Sequence, residues 1–380
     1  MRILFTFIGG RGHLDPLIPI ARAAEAAGHT VAVAGNGNQV AAITAAGFTA
    51  FATGEPRPRS RPTEEPPLET PDPARDDQGF RDGFAGKGAR RHASALPAVV
   101  RGWQPDVIVR DEVDFGSAIA AEALGIPCAT VLVLAAGTFL RKELVADPLH
   151  KLRTEHGLPE DPELAMLDRD LVLSPFPPSF RSPSAPLPPT AFSFRPGPVI
   201  APDPATTRSQ TPTVYFTLGT VYTNTDLLTR VITGLADIDA NAVVTVGRNI
   251  DPALFGPQPD HVRIEQFIPQ DELLQHCDLV VSHGGSGSLM GSLAHGLPSV
   301  LLPMGADQPH NARRCVELGT AWLLDPVSAT PDEVRATISA MLADPSHRLA
   351  AAQIQAEINV LPSVEQTIPL LERLAASGSR

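Results

Sequence analysis

The 380-residue sequence predicts an α/β protein of two domains, each built on a parallel sheet. Three observations lead there. Short apolar runs alternate with stretches of helical periodicity in both halves, the rhythm of β-α-β units. Two of these runs, residues 3–8 and 214–218, lead directly into glycine turns, so the chain opens twice in the same way. A Pro- and Ser-rich stretch at 174–212 separates the halves.

The first strand spans 3–8. Leu17, Ile20, Ala21, Ala24 and Ala27 then recur at helical spacing, which predicts a helix over 16–27 with Asp15 as N-cap, Pro16 at the first helical position and Gly28 after the end. Strands at 30–34, 107–110 and 129–134 and a helix at 115–124 complete the first rhythm. Residues 54–78, crowded with Pro, Arg, Glu and Asp, read as a long loop, either mobile or a functional lid. The second rhythm has strands at 213–218, 242–246, 262–265 and 278–282, with helices at 225–236 and 270–276. A further helix leaves the glycine turn after 282 and ends near His295, where Gly296 and Pro298 stop it. Amphipathic helices fill the chain beyond 330. The expected organisation is an N-terminal domain 1–197, a linker 198–212, a C-terminal domain 213–364 and a final helix 365–380 that packs back on the N-terminal domain.

Composition narrows the function. Forty-two acidic against thirty basic residues give a net charge of −12, which argues against a surface that neutralises nucleic acid or anionic lipid. Cys128, Cys277 and Cys315 are far apart and form no metal or disulfide pattern, in keeping with a reducing cytoplasm. No run approaches the length of a membrane span, and the N-terminal apolar run, too short for a signal h-region and without a small-residue cleavage site, reads as a first strand.

The glycine turns carry the chemistry. Gly9-Gly10-Arg11-Gly12 fails the dinucleotide fingerprint, because the third glycine falls at Asp15, and the second strand ends in Gly35-Asn36 without an acid for a ribose hydroxyl. No NTPase phosphate loop is present either. His283-Gly284-Gly285-Ser286-Gly287-Ser288 is more telling: it follows an apolar strand and opens a helix whose leading N–H groups and positive dipole end receive a phosphate. A plain helix-capping turn is the alternative.

The motif has company. Phe267-Ile268-Pro269-Gln270, the His283 turn, Pro303-Met304-Gly305-Ala306-Asp307-Gln308 and Asn311-Ala312-Arg313, together with Gly12-His13-Leu14-Asp15-Pro16-Leu17 and Ala27-Gly28-His29, resemble UDP-glycosyltransferase-like enzymes of the GT-B fold, in particular bacterial natural-product glycosyltransferases. That resemblance implies two Rossmann-like domains facing each other across a cleft that closes about a hinge near 195–212. It implies that Phe267, Ile268 and Gln270 pack beside the nucleobase and that Gly219-Thr220 faces the donor. It makes His283, Gly285, Ser286, Gly287 and Ser288 a diphosphate clamp, and Asp307 and Gln308 a pair that hydrogen-bonds sugar hydroxyls. Helix capping near Asn311 is the other reading of that pair. Relatives that use UDP-sugars often carry a glutamate for the ribose hydroxyls eight residues after the motif histidine. Here that position is Gly291, which leans toward a dTDP-sugar.

His13 stands at the carboxyl end of the first strand, where open α/β sheets bind ligands, and is the candidate base. Asp111, after strand 107–110, resembles the aspartate that orients it, although Asp111, Glu112 and Asp114 share one turn and any of them suits the cap of the helix near 115. Asp15 reads as a cap and His29 as structural. His92, His150, His156 and His347 show no partner pattern. With no metal-ligand spacing in evidence, the expectation is a metal-independent, inverting transfer to a hydroxyl with no resident cofactor. Phe80, Phe84 and Phe139, with Trp103 and Leu140, line an apolar acceptor pocket or else belong to the core. The expected partners are a nucleotide sugar and a hydrophobic natural-product acceptor, with the chain a monomer or homodimer and neither nucleic acid nor membrane involved. A UDP-sugar transferase, a nucleotide-sugar epimerase and a catalytically silent donor-binding partner remain as alternatives.

Overall fold

The computed structural model describes residues 1–56, 67–200, 211–219 and 224–378. Thr220, residues 201–210 of the expected linker and 57–66 of the expected lid lie outside them. The described residues of 1–60, 73–198 and 361–380 form one compact unit, and those of 61–72 and 199–360 a second.

The N-terminal unit begins with β1 (Arg2–Thr6), α1 (Arg11–Leu14), α2 (Ile18–Ala26), β2 (Thr30–Gly35), α3 (Val40–Ala45) and β3 (Thr49–Ala52). It continues through α4 (Pro73–Phe80), α5 (Ala89–Trp103), β4 (Val107–Asp111), α6 (Phe115–Ala123), β5 (Cys128–Val131), α7 (Lys142–Glu155), β6 (Val172–Ser174) and β7 (Ala191–Ser193). Its seven strands pair in parallel in the order β3-β2-β1-β4-β5-β6-β7. Leu4 pairs with Ala32 on one side and Ile108 on the other, so β1 and β4 lie side by side at the centre and their carboxyl ends adjoin.

The C-terminal unit repeats the plan with β8 (Thr213–Thr217), α8 (Thr225–Leu235), β9 (Asn241–Thr245), β10 (Val262–Glu265), α9 (Gln270–Leu274), β11 (Leu279–Ser282), α10 (Ser286–Ala294), β12 (Ser299–Leu301), α11 (Gln308–Glu317), β13 (Ala321–Leu323), α12 (Pro331–Ala343) and α13 (Pro345–Val360). Six parallel strands run β10-β9-β8-β11-β12-β13. Val214, Phe216, Leu279, Val281 and Val300 project from the strands into one core with Leu228, Val231 and Val334. The last helix, α14 (Ile368–Gly378), buries Ile368, Leu371 and Ala375 in the N-terminal core beside Phe5, Leu17 and Val107.

Three expectations are corrected. The first helical turn begins at Arg11, not Pro16. Asp15 has helical angles (φ −57°, ψ −37°), and Pro16 is absorbed in a 3₁₀ turn, Asp15–Leu17, between α1 and α2. Asp15 pairs with Arg11 at 2.8 Å instead of capping, because the helix has already begun at Arg11 with Gly10 as its N-cap. The expected loop 54–78 gives way at Pro73 to helix: α4, a π-helical stretch Arg81–Gly88 and α5 run on continuously to Trp103. Gly83, Gly86 and Gly88 disguise this segment in the sequence, yet its packing needs Gly88, since a methyl there would fall 2.3 Å from Ile8 Cδ1. Trp103 is in the core behind β2, against Phe51 and Arg2, and is not with the other candidate aromatics. Gly28 and Gly296 do end their helices with positive φ, +83° and +65°.

Candidate active site

His13 lies on α1, just past the end of β1. Its Nδ1 is 3.4 Å from Oδ2 of Asp111, at the end of neighbouring β4. The Asp111 carboxylate is fully buried and fixed by three backbone N–H donors: Ile8 to Oδ2 at 2.8 Å, and Val113 and Asp114 to Oδ1 at 2.7 and 2.8 Å. It therefore bridges the two central strand ends and holds the imidazole from behind. Gly9 supplies the floor. Its φ is +105°, and a Cβ there would fall 2.7 Å from Cδ2 of His13, so the ring lies directly on glycine backbone.

Structure sorts the three acids of this turn by what each one faces. Asp111 faces His13. Glu112 turns away and accepts the N–H groups of Val133 and Leu134, both at 3.0 Å, with burial pushing its carboxyl above the usual range. Asp114 caps α6 through the Ser117 N–H at 3.1 Å and pairs with His92 at 3.0 Å. His92, which the sequence left without a partner, is fully buried between Asp114 and the Thr53 hydroxyl, 2.8 Å from Nε2. Burial opposes both charges of the pair, but their attraction prevails: the Asp114 carboxyl is pulled down to about 2 and the His92 imidazole is raised.

The three acceptor candidates come together. Phe84 lies 5.6 Å from the His13 ring, Phe80 stacks on Phe84 at 5.3 Å, and Phe139 meets Phe80 at 4.8 Å, all between ring centroids. Phe80 and Phe139 are buried, so the surface beside His13 belongs to half-buried Phe84. The π-helical stretch carries it, and close approach of Gly88 to Ile8 brings that stretch down to the base.

In the C-terminal unit, His283 follows β11. Glycine backbone walls its ring on two sides: a Cβ on Gly285 would fall 2.6 Å from Nε2, and one on Gly219, whose φ is +74°, would fall 2.7 Å from Cε1. Desolvation pushes the imidazole down to about 4, so it is neutral at pH 7. Among the described residues no partner reaches its Nδ1. Gly285 is the N-cap of α10 and offers no side-chain acceptor, so no side chain caps the N-terminus of that helix. Gln270 donates to the Ser288 carbonyl at 3.1 Å and lies over Gly291, where a Cβ would come within 3.1 Å of its Nε2.

Asp307 Oδ2 accepts from Ser286 Oγ at 2.7 Å and from Asn311 Nδ2 at 2.8 Å. Asp307 stands at the N-cap of α11 without capping it through its side chain. Gln308 is 2% exposed, and its Oε1 accepts the Met304 N–H at 2.8 Å, so its carbonyl is committed to the loop. Phe267 is 46% exposed, with the Arg248 guanidinium 3.7 Å from its ring centroid, beside half-buried Ile268. Both Arg248 and Phe267 border an open depression of about 640 Å³ with Asp251, Pro252, Glu265 and Gln266. Among the described residues no group of three or more His, Cys, Asp or Glu side chains is placed to hold a metal ion, and no helix is long and apolar enough to cross a membrane.

Two doubly wound parallel-sheet units, each with a glycine turn at the end of a central strand, have the plan of the GT-B class of glycosyltransferase. Comparison with known proteins is specific. Residues 229–374 match the model of the erythromycin biosynthesis protein CIII-like C-terminal domain. The tylactone mycaminosyltransferase of Streptomyces fradiae is 30% identical over 99% of this chain and 93% of its own. The aclacinomycin-T 2-deoxy-L-fucose transferase of Streptomyces galilaeus is 28% identical over 100% and 97%. Among solved structures, glycosyltransferase VinC in complex with dTDP superposes with a TM-score of 0.77 at 29% identity, over 99% of this chain and 100% of that one. The chain belongs to the GT-B natural-product glycosyltransferases, and it is an enzyme of that kind.

Proposed function

We propose that the protein transfers a deoxysugar from a dTDP-sugar to a hydroxyl of a hydrophobic natural-product acceptor, with inversion and without a metal or resident cofactor. The observation that carries this reading is the His13–Asp111 pair on its glycine floor. As the acceptor oxygen attacks the anomeric carbon, its proton passes to the imidazole of His13, and the buried Asp111 carboxylate balances the imidazolium that forms. One displacement of this kind inverts the anomeric centre. The departing diphosphate meets the uncapped N-terminus of α10, the hydroxyls of Ser286 and Ser288 and the neutral His283 imidazole, which supplies a hydrogen bond without a competing charge. That helix end does the work a divalent cation does elsewhere. Phe84 gives the acceptor an apolar surface beside the base.

The thymidine preference rests on Gly291. Gln270 covers the site from which a carboxylate would reach both hydroxyls of a ribose, and a deoxyribose has one hydroxyl fewer. The dTDP complex of VinC supports the same nucleotide, and the 2-deoxy-L-fucose transferase relative supports a deoxysugar. Thermal-shift titration with dTDP, UDP and NAD tests it, because a ligand that binds only the folded state raises Tm according to its affinity. A larger shift with dTDP than with UDP is expected. Preference for UDP would sink the deoxyribose argument, and a response to NAD alone would overturn the donor site. Turnover by His13→Ala at the wild-type rate would remove His13 as base.

A further inference from the structure

Asn311 has no part in the chemistry above, yet three separate pieces of the C-terminal unit meet at its amide. The side chain is fully buried on α11. Its Nδ2 lies 2.8 Å from Asp307 Oδ2, 3.1 Å from Ser286 Oγ and 3.1 Å from the Gly284 carbonyl. Ser286 Oγ in turn lies 2.7 Å from the same Asp307 oxygen. Thus the glycine turn, the first residue of α10 and the loop after β12 share one junction. The loop is under local strain: Ala306, next to Asp307, has φ +55°, a left-handed conformation that a non-glycine residue keeps only when its surroundings hold it.

A serine hydroxyl carries one proton. In this arrangement Ser286 directs it to Asp307. A phosphate at the N-terminus of α10 competes for the same proton, and once it is turned that way, Asp307 Oδ2 has a lone pair free for a sugar hydroxyl. During that exchange the N–H of Asn311 still holds the carboxylate in place. Resting on the donor reading above, we propose that Asn311 is a positioning residue that fixes Asp307 for the sugar while Ser286 turns to the diphosphate, so that diphosphate and sugar are recognised cooperatively.

Isothermal titration with dTDP and with dTDP-α-D-glucose tests this on the full chain. Asn311→Ala is expected to weaken dTDP-α-D-glucose at least tenfold and dTDP less than threefold. Asn311→Leu, which keeps the shape and volume and removes the donor without adding a charge, should behave alike and covers the case in which the alanine variant fails to fold. Ser286→Ala should weaken both ligands, since it removes the proton that the phosphate draws. Equal losses for both ligands in the Asn311 variants mark a merely structural residue and overturn the proposal, as does no loss for either. A Ser286→Ala effect confined to dTDP-α-D-glucose overturns the proton exchange. If wild type binds neither ligand, the donor reading itself has failed, and the inference falls with it.

Discussion

Gly9→Ala tests how the base is positioned. A Cβ at this position falls 2.7 Å from Cδ2 and 3.0 Å from Nε2 of His13, where ordinary contact begins at 3.4 Å, so the imidazole must move by about 0.7 Å to admit it. Displacement of a reacting group by about 1 Å costs on the order of 10²-fold in rate, which places the expected loss in kcat at roughly 10- to 100-fold. Alanine must also adopt φ +105°, which costs about 1–3 kcal/mol and lowers Tm by several degrees. The neighbouring Gly10 is the internal control, because nothing lies within 4 Å of its Cβ position and its φ is an ordinary −107°. The assay is release of nucleoside diphosphate from a dTDP-sugar with an acceptor that wild type glycosylates, run beside thermal unfolding so that lost activity is separated from lost fold. Gly10→Ala should match wild type in both. If Gly9→Ala kept the wild-type rate, the ring-on-glycine geometry would have no bearing on the base; equal losses in both variants would mean that the turn merely tolerates no side chain.

Further outcomes follow from the same geometry. Gly285→Ala drives a Cβ to 2.6 Å from His283 Nε2 and should weaken dTDP about tenfold or more by calorimetry, whereas Gly287→Ala, with open space at its Cβ, should leave the ring alone; equal affinities would refute the role of His283. Gly291→Glu must displace Gln270 and brings in the carboxylate that a ribose uses, so the ratio of UDP to dTDP affinity should rise; an unchanged ratio means that the base or the sugar decides donor choice elsewhere. Asp114→Asn leaves His92 buried without its counter-charge and should cost about 3–5 kcal/mol in urea unfolding. The pH dependence has a definite sign. Asp114, depressed from 3.8 to about 2, stabilises the fold above its unfolded pKa and loses that contribution as pH falls toward 2. His92, raised from 6.5, contributes fully below that value and loses its share as pH rises through its folded pKa. The variant should therefore flatten both limbs of the wild-type stability profile, and parallel profiles would show that the pair carries no linkage.

The central strands and both glycine turns were legible because a central parallel strand is a continuous apolar run and its turn demands glycine, both local properties of the chain. Leu279–Ser282 and Arg2–Thr6 are of this kind. Short edge strands such as β7 and β13 left no such trace, being three residues each and only partly buried. The helix from Pro73 to Trp103 was hidden because its glycines lower helix propensity, and tertiary contact overrides that cost where Gly88 meets Ile8. Asp15 shows the converse: a proper capping residue followed by proline, but with the helix already begun four residues earlier.

By itself the sequence determined the doubly wound class, the candidate base, the glycine turn for a phosphate and the family resemblance, since each rests on residue type and near-neighbour spacing. Only the tertiary structure decided which acid does what. Asp111, Glu112 and Asp114 are interchangeable in one dimension, and they separate because the chain turns as it leaves the strand end, so three acids within four residues point in different directions. One meets His13 across the neighbouring strand, one the N–H groups of Val133 and Leu134, and one the buried His92. The same holds for Gly219 and Gly291: their value is the absence of a side chain opposite the His283 ring and the Gln270 amide, which the fold brings in from more distant stretches of the sequence.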